Sequence, residues 1–195
     1  MQPKVNYIDQ PTMQRIIDHI PDLKIRKWKD EDVQMLFKIC YWCGLRMNEA
    51  IRLQAEDFDL SKHEVFLGKT KTHKNDYASV PPSCTDELSL YLLGKKGSLF
   101  PGCNYNIVYN WLARLGKMLD IAALTTPESV SGEKTKTHIF RKSIGKEMMF
   151  GTFDGRKAPL SIVMDKLRHN DLNTTSKYLK MGIEGVKDWE GQDAD

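Results

Sequence analysis

Long apolar segments are missing from this sequence. No run of eighteen apolar residues occurs among its 195 residues, and the opening MQPKVNYIDQ lacks an apolar signal region. We therefore expect a soluble, cytoplasmic chain that is not exported and does not contact a membrane. Its 41% content of apolar residues is enough to fill a hydrophobic core.

Cysteine is scarce, and its spacing does not indicate a metal site. Of the four cysteines, Cys40 and Cys43 form a C-x-x-C inside a helical pattern, and Cys84 and Cys103 provide no second C-x-x-C to complete a zinc site. We interpret the Cys40 and Cys43 pair as small buried hydrophobes. No D-x-D or D-D-E set can be defended as a metal site either, and a P-loop is absent. A metal-dependent nuclease and an ATPase are therefore disfavoured, and no metal or other cofactor is expected.

The net charge of +3 is too small to indicate a polyanion partner, but basic residues are concentrated in two stretches. KTKTHK spans residues 69–74, and EKTKTHIFRKSIGK spans residues 133–146 with five Lys or Arg against one Glu. Such clusters are often solvated surface, but two that converge in space would hold a phosphate backbone. The candidate phosphate-contacting lysines in these stretches are Lys69, Lys74, Lys136 and Lys142.

Apolar periodicity predicts a mainly α-helical domain with one small three-stranded antiparallel β-sheet. A stripe at i, i+3, i+4, i+7 and i+8 comprises Val33, Leu36, Phe37, Cys40 and Tyr41. Asp30 is the expected cap of this helix, and Gly44 is its expected left-handed stop. Further helices are expected at 11–20, from 46, and at 85–93, 106–119, 138–150 and 159–167, with a loop at 124–137. After Asp57 the period shifts toward two, which predicts the sheet.

Candidate catalytic residues occur at four separated places. They are Arg46 after the Gly44 stop, Lys71 in a predicted hairpin, His138 and Arg141 one helical turn apart, and His169 and Tyr178 nine residues apart. Taken singly, each has an ordinary interpretation: Arg46 could pair with Glu49 on its own helix, and the others could be solvated or capping residues. Taken together, they form a set that can cleave a phosphodiester without a metal. Guanidinium groups bind the non-bridging oxygens, and cations assist a tyrosine whose free pKa is about 10.

Four motifs resemble, in order and spacing, the catalytic domain of the tyrosine recombinases, the integrase family of phages, archaeal viruses and chromosome-dimer resolving enzymes. They are CGLRMNEAIRLQAEDFDL, VFLGKTKTHKNDYASVPP, THIFRKS and PLSIVMDKLRHNDLNTTSKYLK, and the resemblance covers roughly residues 10–182. Two positions depart from the family pattern. Arg168 replaces the usual Gly before the histidine, and Lys142 stands where many members carry another histidine. Both are cationic, and we interpret both as added DNA contacts.

The resemblance implies a role for each candidate. Tyr178 attacks the scissile phosphate, forming a 3′-phosphotyrosyl link and freeing a 5′-hydroxyl. Lys71 is the general acid, with Lys69 a near competitor because some members carry the lysine directly after the glycine. Arg46 and Arg141 hold the non-bridging oxygens. His138 is the proton acceptor or an orienting donor, and His169 donates a hydrogen bond to the phosphate. Neither ATP nor metal is needed.

The expected organisation is a catalytic domain over residues 1–185, an acidic and fraying tail over residues 186–195, and no separate N-terminal DNA-clamping domain. The expected partners are double-stranded DNA and further copies of the chain, as a tetramer on DNA, with a monomer compatible with the isolated protein. Two alternatives stay open. One is a type IB topoisomerase, which uses a similar residue set, although the Leu-x-His before the tyrosine and the small size favour the recombinase. The other is a DNA-binding accessory protein that lacks the chemistry.

Overall fold

The computed structural model describes residues 7–69, 75–125 and 138–168. In these ranges the chain forms eight α-helices and three strands. The helices are α1 (Gln10–Asp18), α2 (Asp30–Trp42), α3 (Met47–Ala50), α4 (Thr85–Leu92), α5 (Tyr105–Met118), α6 (Ala122–Thr125), α7 (Ile139–Phe150) and α8 (Leu160–Lys166). The strands are β1 (Phe58–Asp59), β2 (Glu64–Lys69) and β3 (Asn75–Ser79). The predicted fold class, mainly helical with a small sheet, is confirmed.

The sheet is antiparallel throughout, in the order β1-β2-β3. Val65 pairs with Phe58 on one side and with Ala78 on the other, and both Val65 and Ala78 are buried. These two small side chains attach one face of the sheet to the core. A bulge between Phe66 and Gly68 shifts the register, and bulges bend a strand and increase its twist. The strands reach residue 69 on one side and residue 75 on the other, so Lys71 and Lys74 lie outside the described residues.

Helix α2 occupies the centre of the core because apolar residues cover most of its circumference. Its buried residues are Val33, Met35, Leu36, Phe37, Ile39, Cys40 and Tyr41. Helix α7 packs directly on it, with the rings of Phe37 and Phe140 5.1 Å apart between centroids. Full burial of one such side chain stabilises a fold by about 1.5–3 kcal/mol. The α2–α7 pair is therefore the frame on which the neighbouring loops are placed.

A buried polar contact also joins these two helices. The Tyr41 hydroxyl on α2 donates a hydrogen bond to Oε2 of Glu147 on α7, and Glu147 is only 1% exposed. Burial raises the pKa of both groups, so the phenol stays protonated and acts as the donor. A buried polar group is costly without its partner. The contact therefore disfavours any axial slip of α7 along α2.

Three details of the predicted helices were wrong. The helical run expected from residue 46 forms only the four-residue α3 and, after it, a short 3₁₀ helix at Ala55–Asp57. Asp30 was expected to be the cap of α2, but the helix begins at Asp30 and Lys29 is the cap residue. Asp30 and its two acidic neighbours lie in the first turn, where the helix dipole favours negative charge. Residues 124 and 125, expected in a loop, belong instead to α6, where Leu124 is fully buried. The predicted burial of Cys40 and Cys43 is confirmed, and both are free thiols. Within the described ranges, no helix combines the length and apolar character needed to cross a bilayer.

Gly116 on α5 is where α6 approaches most closely. A Cβ atom on this glycine would lie 2.6 Å from the Cβ of Leu124 and 3.2 Å from the Leu124 carbonyl carbon. The nearest obstacle is thus close to the backbone and cannot rotate away. The absent side chain of Gly116 allows α6 to pack against α5.

We expect Gly116→Ala to lower the free energy of unfolding by about 1–3 kcal/mol, the usual cost of overpacking. An alanine in an open helix position would instead stabilise by about 0.5–1 kcal/mol. Urea denaturation followed by circular dichroism measures the change. Lys117→Ala, at the adjacent exposed position of the same helix, is the control and should shift stability little. A Gly116→Ala protein more stable than the parent would contradict the proposed close approach.

Candidate active site

The turn at Gly44 positions the first candidate arginine. Helix α2 ends at Trp42, and Gly44 adopts a left-handed conformation with φ +62°, as the sequence predicted. The Leu45 N–H then donates back to the Cys40 carbonyl at 3.1 Å. A side chain at this φ would cost roughly 1–2 kcal/mol. The chain therefore reverses tightly and places Arg46 at the start of α3.

Arg141 on α7 binds this turn directly. Arg141 is 1% exposed, and its Nη1 donates a hydrogen bond to the Gly44 carbonyl oxygen at 2.5 Å. His138, one helical turn earlier, occupies the cap position of α7 and is half-buried. The Arg46 motif and the His-x-x-Arg motif, far apart in sequence, thus meet at one carbonyl group.

Arg46 is oriented by the carboxylate of Glu49. The Arg46 backbone N–H donates to Glu49 Oε2 at 2.7 Å, and its Nη1 donates to Oε1 at 2.8 Å. The i, i+3 pair that the sequence allowed is therefore present. Because the Arg46 side chain is still 45% exposed, the remaining guanidinium donors can reach an anion from solvent. The pair with Glu49 engages one edge of the Arg46 guanidinium and leaves the other edge accessible.

Arg168 contacts the same carboxylate. It follows the end of α8 in a left-handed conformation, with φ +50°. Its Nη2 lies 2.5 Å from Glu49 Oε2, and its Nε lies 3.5 Å from Asp76 Oδ1 on β3. The Arg168 side chain is 11% exposed. The residue interpreted from sequence as an added phosphate contact thus lies between two carboxylates, and a contact with DNA stays a prediction.

Electrostatic compensation keeps Glu49 ionised. Burial raises the pKa of its carboxyl, but Arg168 and the hydrogen bonds from Arg46 outweigh burial and bring the pKa below its ordinary value. Lys166, two residues before Arg168, donates from Nζ to the Ser79 carbonyl and hydroxyl, both at 3.0 Å. Burial lowers the pKa of Lys166. These contacts fasten the end of α8 to β3.

The predicted site residues are distributed unevenly over the described ranges. Arg46, Arg141 and Arg168 cluster around the Gly44 turn and Glu49, and Lys142 follows Arg141 as a half-buried residue of α7. Lys69 ends β2. The remaining candidates, Lys71, Lys74, Lys136, His169 and Tyr178, lie outside the described residues. The catalytic and DNA-binding roles of the whole set stay predictions.

Two contributors were not predicted from the sequence. The Gly44 carbonyl was not foreseen as the partner of Arg141, and Asp76 was not foreseen as a partner of Arg168. No local pattern marks either one, because the partners are separated by 97 residues in the first case and belong to β3 and the end of α8 in the second. Among residues 7–69, 75–125 and 138–168, no group of three or more His, Cys, Asp or Glu could hold a metal ion.

Comparison with known proteins places this arrangement in a family. The model of the phage integrase family matches residues 6–182. A tyrosine recombinase XerC of Rhodospirillum centenum is 29% identical over 156 residues, covering 76% of this chain and 42% of the relative. The crystal structure of XerA recombinase superposes with a TM-score of 0.68 at 16% identity, covering 97% of this chain and 65% of that one. The catalytic domain of bacteriophage HP1 integrase gives 0.62 at 19% identity, covering 93% and 90%.

The superpositions show that the chain has the fold of these recombinase and integrase structures. Because the family model covers most of its length, the chain belongs to the phage integrase family. It spans 42% to 58% of the length of the curated relatives it matches.

We expect Glu49→Gln to lower the free energy of unfolding at pH 7 by about 1–3 kcal/mol, because Arg46 and the largely buried Arg168 lose a charged acceptor. Since the pKa of Glu49 is lower in the folded state, its contribution is present above the ordinary value of 4.5 and is lost as the pH falls through the folded value. The difference between parent and variant should therefore shrink below that pH.

Urea denaturation at several pH values measures this difference. Glu31→Gln, the same change at an exposed carboxyl of α2, is the matched control and should cost far less at every pH. A Glu49→Gln protein as stable as the parent at pH 7 would contradict the bridging role of Glu49 between Arg46 and Arg168.

Proposed function

We propose that the chain is the catalytic domain of a site-specific DNA recombinase that cleaves and rejoins strands through a 3′-phosphotyrosine intermediate. The observation that carries this proposal is the hydrogen bond from buried Arg141 to the Gly44 carbonyl, close in sequence to half-exposed Arg46. Two guanidinium groups around one turn suit a phosphodiester, which presents two non-bridging oxygens. The family membership and the names of the curated relatives support the same activity.

In the proposed cleavage step the phenolic oxygen of Tyr178 forms a bond to phosphorus as the bond to the 5′ oxygen breaks. The tyrosine proton passes to an acceptor, for which His138 is the candidate, and Lys71 gives a proton to the departing 5′ oxygen. Arg46 and Arg141 neutralise the charge that builds on the phosphoryl oxygens. His169 donates a further hydrogen bond to them.

Rejoining is the reverse of this step. The phosphotyrosine keeps the energy of the original ester, so a 5′-hydroxyl from another duplex can attack it without ATP. Exchange of partners requires several copies of the chain on paired sites. We therefore propose double-stranded DNA as substrate, a homotetramer as the assembly on DNA, with a monomer compatible with the isolated chain, and the cytoplasm as the location. Residues 1–185 are the proposed extent of the catalytic domain.

A suicide substrate tests the proposal. A nicked duplex bearing the target sequence should give a covalent protein–DNA band on a denaturing gel, in the presence of EDTA, with the DNA attached to Tyr178 by mass spectrometry. Exchange between paired sites would then identify a recombinase, whereas relaxation of supercoiled DNA without exchange would identify a topoisomerase. Absence of any band on DNA that the protein binds would overturn the catalytic proposal in favour of a DNA-binding protein.

Tyr178→Phe should abolish covalent capture and leave DNA affinity nearly unchanged, because only the attacking oxygen is removed. The matched control is Tyr77→Phe, which removes the hydroxyl of a 46% exposed tyrosine on β3 and should capture DNA normally. Gel-shift titration gives the affinity, and denaturing electrophoresis gives the yield of capture. Normal capture by the Tyr178→Phe protein would show that Tyr178 is not the nucleophile.

The general acid can be assigned by changing the leaving group. Lys71→Ala should slow cleavage of an ordinary duplex, and a bridging 5′-phosphorothiolate at the scissile position should restore most of the rate. A thiol has a pKa of about 8.5, so its thiolate departs without a proton from lysine. Lys69→Ala should respond little to the sulfur substitution. If sulfur rescues Lys69→Ala and leaves Lys71→Ala slow, the general acid is Lys69.

A further inference from the structure

We propose that Arg168 is a positioning residue that fixes Arg46 through the shared carboxylate of Glu49. This proposal rests on the proposed function, and it gives Arg168 a role different from the phosphate contact that its charge suggested. Three observations carry it: the backbone conformation of Arg168, its place between two carboxylates, and the simultaneous bonding of Glu49 to Arg46.

The backbone conformation at Arg168 is one that glycine adopts readily and that Asn and Asp tolerate. It is unfavourable for other residues. Arg168 occupies the position after the end of α8 with φ +50°, where helices commonly place glycine. A residue with a Cβ is disfavoured in this conformation because the Cβ crowds the following carbonyl oxygen. Favourable contacts of the arginine side chain must therefore offset a cost that glycine would avoid. A residue that only ended the helix would not need those contacts.

The guanidinium of Arg168 joins two separate elements to the end of α8. Nη2 contacts Glu49 of α3 at 2.5 Å, and Nε approaches Asp76 of β3 at 3.5 Å. The side chains of Glu49 and Asp76 are 19% and 33% exposed, so solvent screens the first contact less than the second. Arg168 therefore sets the position of Glu49 relative to the sheet.

Glu49 transmits this position to Arg46. Its Oε2 accepts from both Arg168 and the Arg46 backbone N–H, while its Oε1 accepts from Arg46 Nη1. A shift of the carboxylate would therefore move the guanidinium fork that is proposed to bind the phosphate. Without Arg168, Glu49 keeps its bonds to Arg46 but loses its contact with the residue that follows α8.

A direct phosphate contact is the competing role for Arg168. Its Nε and Nη1 are buried and have no hydrogen-bond acceptor within the part of the chain that the structure describes. A phosphate oxygen would be a suitable acceptor for such donors. Two carboxylates beside the guanidinium, however, already compensate its charge and would repel an anion. The experiment must therefore separate an effect on the rate of cleavage from an effect on DNA affinity.

The test compares Arg168→Gly and Arg168→Lys with the parent chain, each with and without Glu49→Gln. Glycine relieves the backbone conformation, so the variant is expected to fold, and urea denaturation verifies it. Lysine keeps the charge but lacks the fork that reaches two carboxylates. The readouts are the single-turnover rate of suicide-substrate capture at saturating protein, and the DNA affinity at several salt concentrations.

We expect Arg168→Gly to slow capture by about 10- to 100-fold, the scale of a misplaced catalytic group, with DNA affinity and its salt dependence unchanged. Arg168→Lys should recover part of the rate. In the Glu49→Gln background, Arg168→Gly should add little, because the two changes remove the same restraint.

Three outcomes would overturn the proposal. An unchanged capture rate denies any role in positioning. A fall of about 0.9 in the slope of log affinity against log salt, with the rate at saturation unchanged, identifies a phosphate contact. Additive losses with Glu49→Gln show that Arg168 acts by another route. If the parent chain itself captures no DNA while binding it, the proposed function fails, which is distinct from a failure confined to Arg168.

Discussion

The hydrogen bond from Arg141 to the Gly44 carbonyl is the contact on which the candidate site depends. It joins α7 to the turn after α2, and a Cβ on Gly44 would also lie 3.4 Å from Leu167 Cδ2, at the end of α8. Three helices therefore meet around a residue without a side chain. The apolar packing of Phe37 on Phe140 stabilises the pairing of α2 with α7. The hydrogen bond from Arg141 then fixes the orientation of the Gly44 turn relative to α7. A buried guanidinium in this place has few alternative positions.

Around that turn, two carboxylates and a carbonyl contact three guanidinium groups. Glu49 accepts from both Arg46 and Arg168, Asp76 lies beside Arg168, and Arg141 donates to the Gly44 carbonyl. These contacts lie in a partly buried setting, where the effective dielectric constant is lower than in water. The electrostatic attraction within each contact is therefore stronger than it would be on an open surface.

Much of the architecture could be predicted because it follows from local patterns. The stripe on α2, the left-handed stop at Gly44 and the alternation in the sheet are short-range signals, and the structure agrees with them. The start of α2 was misassigned because Asp30 can serve either as cap or in the first turn. Leu124 was placed in a loop because only the close approach of α6 to Gly116 reveals it as buried. Likewise, the positions of Arg46 and Arg141 were predicted from motifs, but the carbonyl and carboxylates that orient them come from distant segments.

The long sequence separation of these contacts also constrains how the protein folds. The Arg141 contact spans 97 residues, and the bond from the Ile8 N–H to the Ser143 hydroxyl spans 135. Closing such loops has an entropic cost that local helix formation does not repay. Helix α2 and the Gly44 turn can form early, yet Arg141 reaches its carbonyl only once α7 has docked. During synthesis, the contact between Arg141 and the Gly44 carbonyl therefore forms late, and a nascent chain that already carries Arg46 does not yet hold the two arginines around one turn.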